Sequence, residues 1–258
     1  MARCYAVVNQ KGGVAKTTTV INLGAVAALE GKSVLIVDAD PQGNATSGLG
    51  IRRDEIEHCL YDLLARSDGQ QGPAIDEVIL PTATPNLDVL PATIDLAGAQ
   101  MRLANEIARE MRLRRVLEPI RSAYDIILID TAPSLGLLTI NALAAADQVL
   151  IPMQCEYYAM EGLAQLLEII QMVQAEINPA LTIAGAVLTM YDARTNLAEE
   201  VAEEVRSGFS GRTYKAKIPR NVRLAEAPSY GLPAVVHDKH CPGSAAYRRL
   251  YWEVFEDA

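Results

Sequence analysis

Apolar residues follow two patterns along the chain. Short unbroken runs at 4–8, 33–37, 87–90, 125–130, 148–152 and 181–190 leave too few polar positions to keep one face in water, as in parallel strands buried on both sides. Between them, helical spacing covers 18–30, where Val20, Ile21, Leu23, Gly24 and Ala27 form a stripe that stops at Gly31. The same spacing recurs at 136–146, 161–177 and 197–205. Residues 56–65 predict a short helix, 94–122 a long helical stretch, 214–218 a strand and 244–255 a final helix. Residues 46–50 read as a Gly, Ser and Thr turn, and 67–91 as connection. Strand, loop, helix and strand follow so closely from 4 to 37 that they form a βαβ unit, whose crossover requires parallel strands. The expected fold is α/β: a single doubly wound, mostly parallel sheet with helices on both faces, one domain over 1–258.

With 258 residues, half of them hydrophobic, the chain can bury a sizeable core. A formal net charge of −9 argues against a protein dedicated to coating nucleic acid, so any such contact must come from a local patch. One candidate lies between Val205 and Ala225, where Arg206, Arg212, Lys215, Lys217, Arg220 and Arg223 occur without an acid. Sequence-independent binding to DNA phosphates needs such segregation; ordinary surface charges around a strand would produce it equally. A second basic stretch, with Arg102, Arg109, Arg112, Arg114 and Arg115, has Glu106 and Glu110 at pairing distance and reads first as a solvated helix face. Cys4, Cys59, Cys155 and Cys241 lack metal-ligand spacing and fit buried thiols in a reducing compartment. No leader is expected, and no stretch approaches the ~20 apolar residues of a spanning helix.

The chemistry concentrates where the first strand turns into the first helix. Gly12 and Gly13 let the backbone fold tightly, and the helix opening near Lys16 points unpaired N–H groups at an enclosed anion. Lys16 is placed to reach β/γ-phosphate oxygens and Thr17 to ligate Mg²⁺. The pattern G-x-x-x-x-G-K-[ST] is not met, because Gln10 and Ala15 hold its glycine positions. Asp38 and Asp40 follow the second strand, at the end where open α/β sheets place ligands. Asp130 closes the run 125–130 in the manner of an acid that holds Mg²⁺ through a water.

The stretch Lys11-Gly12-Gly13-Val14-Ala15-Lys16-Thr17 resembles the deviant P-loop of the ParA/MinD ATPases, which carries an additional lysine before the glycines. Asp38-Ala39-Asp40-Pro41-Gln42-Gly43-Asn44, Asp130-Thr131-Ala132-Pro133-Ser134 and Ile218-Pro219-Arg220-Asn221-Val222-Arg223-Leu224-Ala225-Glu226-Ala227-Pro228-Ser229 are similar, in order, to motifs of its ParA/Soj members. The resemblance implies ATP bound at Lys11, Gly12, Gly13, Val14, Ala15, Lys16, Thr17 and Thr18, with Pro219 and Asn221 at the base. Thr17 and Asp130 would face Mg²⁺, and Asp38 would support the metal shell or the loop. Lys11, Lys16 and Asp40 are the implied catalytic residues, Asp40 orienting the attacking water. Ala15 departs from the more usual glycine; alanine suits a position entering the helix, although its methyl group would approach a phosphate oxygen.

The resemblance further implies an ATP-dependent homodimer in which Lys11 reaches the partner's nucleotide, with Cys155-Glu156-Tyr157-Tyr158-Ala159 shaping the contact. Arg194 and Arg223 correspond to DNA-contacting arginines, flanked by Lys215, Lys217 and Arg220. The implied function is a chromosome or plasmid partition ATPase without a separate N-terminal DNA-binding domain, cytoplasmic and nucleoid-associated. It would bind nonspecific double-stranded DNA as the ATP dimer and hydrolyse slowly until stimulated by a ParB-like protein. Alternatives are a positioner of a protein cargo, a DNA-binding regulator with negligible turnover, and a MinD-like membrane-cycling ATPase. The last requires a basic polar face on the C-terminal helix, whereas 244–255 mixes Arg248 and Arg249 with Glu253 and is expected to pack on the sheet.

Overall fold

The computed structural model describes residues 2–66, 72–156 and 159–256. Its strands are β1 (Arg3–Val7), β2 (Val34–Ala39), β3 (Leu80–Pro81), β4 (Leu87–Leu90), β5 (Ile126–Thr131), β6 (Gln148–Gln154), β7 (Thr182–Tyr191) and β8 (Thr213–Pro219). Helices α1 (Lys16–Leu29), α2 (Asn44–Gly48), α3 (Leu60–Leu64), α4 (Ile75–Val78), α5 (Leu96–Leu103) and α6 (Arg112–Leu117) belong to the first half. The second half contributes α7 (Leu137–Ala145), α8 (Ala159–Glu176), α9 (Asn196–Gly208), α10 (Val222–Glu226), α11 (Ala234–His237) and α12 (Pro242–Tyr251). The strands form one sheet in the order β3-β4-β2-β5-β1-β6-β7-β8. Only the short β3 runs antiparallel to its neighbour.

Each sheet face has its own apolar layer, because successive side chains of a strand point opposite ways. On β1, Cys4 and Ala6 enter one layer while Tyr5 and Val7 enter the other, and Leu35 and Ile36 of β2 divide likewise. All six residues of β2 and of β5 are buried, which explains their unbroken apolar sequence. Helix α1 lies close over β2 because its Gly24 has no side chain: a Cβ there would come within 3.1 Å of Ile36 Cδ1. This doubly wound sheet brings the C-terminal ends of β1, β2 and β5 side by side, with Asp38 in register with Asp130.

Two local expectations are corrected. Residues 94–122 are not one helix: α5 ends at Leu103, Ala108 turns left-handed at φ 53°, and two 3₁₀ turns flank α6. The break carries Arg112 inward, where its guanidinium meets Glu106 Oε2 at 3.0 Å and Arg66 O at 3.0 Å, so the stretch is no uniform basic face. Residues 46–50 are not a simple turn; α2 forms there because Asp38 accepts the Thr46 N–H near its start, a long-range contact that local composition does not reveal. The register between β7 and β8 is irregular. Glu253, just past α12, takes the N–H groups of Lys215 at 2.7 Å and Ala216 at 2.9 Å.

The C-terminal segment packs on the sheet as its mixed charges suggested, burying Tyr247, Leu250, Tyr251, Val254 and Phe255. No helix among the described residues is long and apolar enough to cross a membrane. All four cysteines are buried and unpaired with one another.

Candidate functional site

The loop after β1 begins with an Asn9 turn. Asn9 Oδ1 accepts the Lys11 N–H at 3.0 Å, and its Nδ2 donates to Pro152 O at 2.7 Å on β6. Gly13 then takes φ 76°, a region that glycine enters without strain. Ala15 also turns left-handed, at φ 64° and ψ 33°, immediately before α1. The expectation that it has already entered the helix is therefore overturned; alanine here costs about 1 kcal/mol against glycine. Lys16 is only 6% exposed, and its Nζ donates to Lys11 O at 3.0 Å across the loop. Burial lowers the Lys16 pKa, opposed by the nearby Asp130 and Asp40.

Thr17 Oγ1 donates to Asp130 Oδ2 at 2.7 Å, joining the loop to the end of β5. Asp130 Oδ1 is buried without a hydrogen-bond partner among the described residues, an electron-rich oxygen left for something outside the chain. Desolvation raises the Asp130 pKa, and the adjacent Asp38 raises it further. Asp38 is pushed up to about 6, again mainly by burial. Its oxygens are engaged: Oδ2 accepts Thr46 N at 2.8 Å and Thr46 Oγ1 at 2.6 Å, while Oδ1 accepts Asp40 N at 3.2 Å. Of the two roles expected for Asp38, this geometry serves the loop and gives no support to metal contact. The Asp40 carboxylate, 6% exposed, accepts the Gln42 N–H at 2.9 Å.

These elements enclose two adjoining clefts. The first, about 380 Å³, is bordered by Gly12, Gly13, Ala15, Lys16, Thr17, Thr18 and Asp40, joined by Gln42, Asn44, Thr131, Pro133 and Met190. The second, about 340 Å³, is bordered by Pro219 and Asn221 with Ile218, Arg220, Val222, Leu224, Ala225 and again Ala15, Thr18 and Met190. The residues expected at the phosphates and those expected at the base thus lie in neighbouring clefts although about 200 positions separate them. Asn221 Oδ1 accepts the Arg223 N–H at 3.0 Å at the start of α10. Sequence reasoning gave no role to Gln42, Thr131, Pro133 or Met190. The first three sit inside motifs already singled out; Met190 is visible only through the fold.

Lys11 borders neither cleft; its Nζ is 3.4 Å from Glu156 Oε2 at a half-exposed position. Tyr157 and Tyr158, expected at a subunit contact, lie outside the described residues. The basic candidates do not form a bare positive strip. Arg194 pairs with Asp192 at 2.7 Å, Lys217 with Glu199 at 2.7 Å while lying 4.0 Å from the Tyr191 ring centroid, and Arg206 with Glu203 at 3.2 Å. Arg223 meets Glu226 closely and Asp238 at 3.4 Å. Lys215 and Arg220 are exposed and make no salt bridge among the described residues. The segregation between 205 and 225 is thus partly undone by acids from flanking segments.

A family profile described as an AAA domain matches residues 2–183. The sporulation initiation inhibitor protein Soj of Bacillus subtilis is 55% identical over 98% of each chain. The chromosome partitioning protein ParA of Caulobacter vibrioides is 50% identical over 98% of this chain and 93% of that one. The fold is also similar to a crystal structure of cobyrinic acid a,c-diamide synthase from Mycobacterium smegmatis with bound ADP and magnesium. That likeness has a TM-score of 0.85 at 37% identity, covering 97% of this chain and 93% of that chain.

Proposed function

The chain belongs to the ParA/Soj family of chromosome-partitioning ATPases, and from that membership we propose that it works as an ATP- and Mg²⁺-dependent dimer that grips nonspecific double-stranded DNA until a ParB-like protein stimulates hydrolysis. The observation that carries the nucleotide half of this reading is the Thr17–Asp130 contact beside the unpartnered Asp130 Oδ1, at the mouth of a loop closed by Lys16. Hydroxyl and carboxylate oxygens are the donor set of a magnesium site, so the residues present fit the ion. Thr17 would hold it directly and Asp130 through water, and when bound it neutralises charge on the β- and γ-phosphate oxygens.

The loop's N–H groups and Lys16 hold the triphosphate, and Asp40 orients a water in line with the γ-phosphorus. The water oxygen bonds to phosphorus as the bridge to the β-phosphate breaks, leaving ADP and inorganic phosphate. Lys16 stabilises the departing charge from within, and Lys11 of the partner subunit does so from across the interface. That the Lys11 ammonium lies outside its own cleft, paired among the described residues with a half-exposed Glu156, supports this trans assignment. Pairing of subunits would bring two copies of Arg194 and Arg223, with Lys215, Lys217 and Arg220 beside them, onto one surface. Avidity then makes DNA affinity depend on nucleotide state. Cytoplasmic residence on the nucleoid follows from this cycle.

The test is light scattering together with DNA co-sedimentation, using a non-hydrolysable ATP analogue and Mg²⁺. Dimer mass and DNA retention are expected to appear together. Single chains throughout would overturn the proposal.

A further inference from the structure

The two clefts share three bordering residues, Ala15, Thr18 and Met190, and two of these have left-handed backbones. Met190 has φ 51°, although it is neither glycine nor a turn residue but the penultimate position of β7. Among the described residues, the other non-glycine positions with positive φ are Asn86, Ala108 and Ala15. Such a conformation persists only where the surroundings over-determine it. Here both neighbours are tied. Thr189 Oγ1 donates to Val14 O at 3.1 Å, anchoring β7 to the loop of the first cleft. Tyr191 O accepts the Arg220 N–H at 3.3 Å, anchoring it to the segment that borders the second. The register between β7 and β8 shifts between Leu188 and Tyr191, across this residue. The fold therefore holds one flexible thioether, at a cost in backbone strain, at the neck where the clefts meet.

We propose that Met190 is a specificity-determining residue that seats the sugar of a nucleoside triphosphate, between its phosphates in one cleft and its base in the other. This inference rests on the nucleotide-binding reading above and extends it to a residue which that reading leaves without a role. An unbranched thioether adapts to the apolar face of a ribose and adds no charge that would repel the α-phosphate. The contact is made only by ligands that carry a nucleoside.

The experiment is isothermal titration of the native chain, Met190→Ala and Met190→Gly with MgATP and, separately, with magnesium tripolyphosphate, alongside melting curves of the free proteins. Both variants are expected to lose about 5- to 20-fold in ATP affinity, the scale of one truncated apolar contact, while tripolyphosphate affinity stays within about twofold. Met190→Gly is expected to melt about 2–4 °C above Met190→Ala, since both lack the thioether and only glycine is unstrained at positive φ. ATP affinity unchanged in both variants would overturn the assignment. Equal losses for ATP and tripolyphosphate would also overturn it, because Met190 would then act through the phosphate loop. Failure of the native chain to bind ATP would overturn this inference and the nucleotide reading together, whereas a native chain that binds ATP no better than its Met190 variants would overturn this inference alone.

Discussion

At the strand ends the charges are few and buried; along the β8 edge they are many and mostly exposed. Lys16, Asp38, Asp40 and Asp130 are each less than a tenth exposed, and each is fixed by contacts within the loop and sheet. Arg194 and Arg223 reach into solvent and rest against acids from their own surroundings. Removing a buried charge that balances an opposite one leaves that partner stranded in a medium that cannot solvate it, which costs several kcal/mol. Breaking an exposed pair costs about 0–1 kcal/mol. The first region therefore has one arrangement, while the second can exchange an internal carboxylate for an external phosphate at little expense.

Lys16→Ala tests that contrast at its strong end. Loss of the buried ammonium is expected to lower MgATP affinity by at least about 100-fold by calorimetry, and a loss below about tenfold would mean the buried cluster is not where the phosphates sit. Asp130→Asn separates function from stability. Burial raises the carboxyl pKa values of Asp38, to about 6, and of Asp130 in the folded chain. The folded state then holds more protons than the unfolded one between the ordinary carboxylate range and about pH 6, and stability falls as pH rises through that window. Asp130→Asn should accordingly melt above the native protein at pH 8 without nucleotide, the gap closing toward pH 4, while losing the Mg²⁺ dependence of ATP binding. A native protein that gains stability from pH 4 to pH 8 relative to the variant would contradict this.

On the exposed side, Arg223→Glu is expected to cut retention on nonspecific duplex by about tenfold or more at low salt while ATP-driven dimerisation persists. Lys217→Ala removes an ammonium that is 20% exposed, against 51% for the Arg223 side chain, and should cost only about two- to threefold. Equal losses would show that exposure does not set the difference. The smallest shift belongs to Ala15→Gly. Removing the left-handed alanine should raise the melting temperature by about 2–4 °C and leave ATP affinity within a few-fold.

The sequence made the buried region legible for a physical reason. A strand covered on both faces has to be apolar, and a phosphate loop has to carry glycine and lysine at fixed offsets, so 4–19 and 125–130 announce themselves. The strand Leu87–Leu90 was legible to the residue. What stayed hidden depends on contacts distant in sequence. Nothing local shows that Asp38 stabilises the start of α2, that Arg112 turns inward, or that Glu199 and Asp238 neutralise a run that looks purely basic. The backbone at Ala15 and Met190 was equally invisible, since neither residue type advertises a positive φ.

The Glu253 carboxylate has a consequence for assembly. An outermost strand is a template on which a further chain can polymerise, and proteins commonly guard such edges with charge. Here the N–H groups of Lys215 and Ala216 are already occupied by a side chain of the same molecule, and Lys215 itself projects outward. Filaments built by extending the β-ladder from one copy to the next are closed off at this margin.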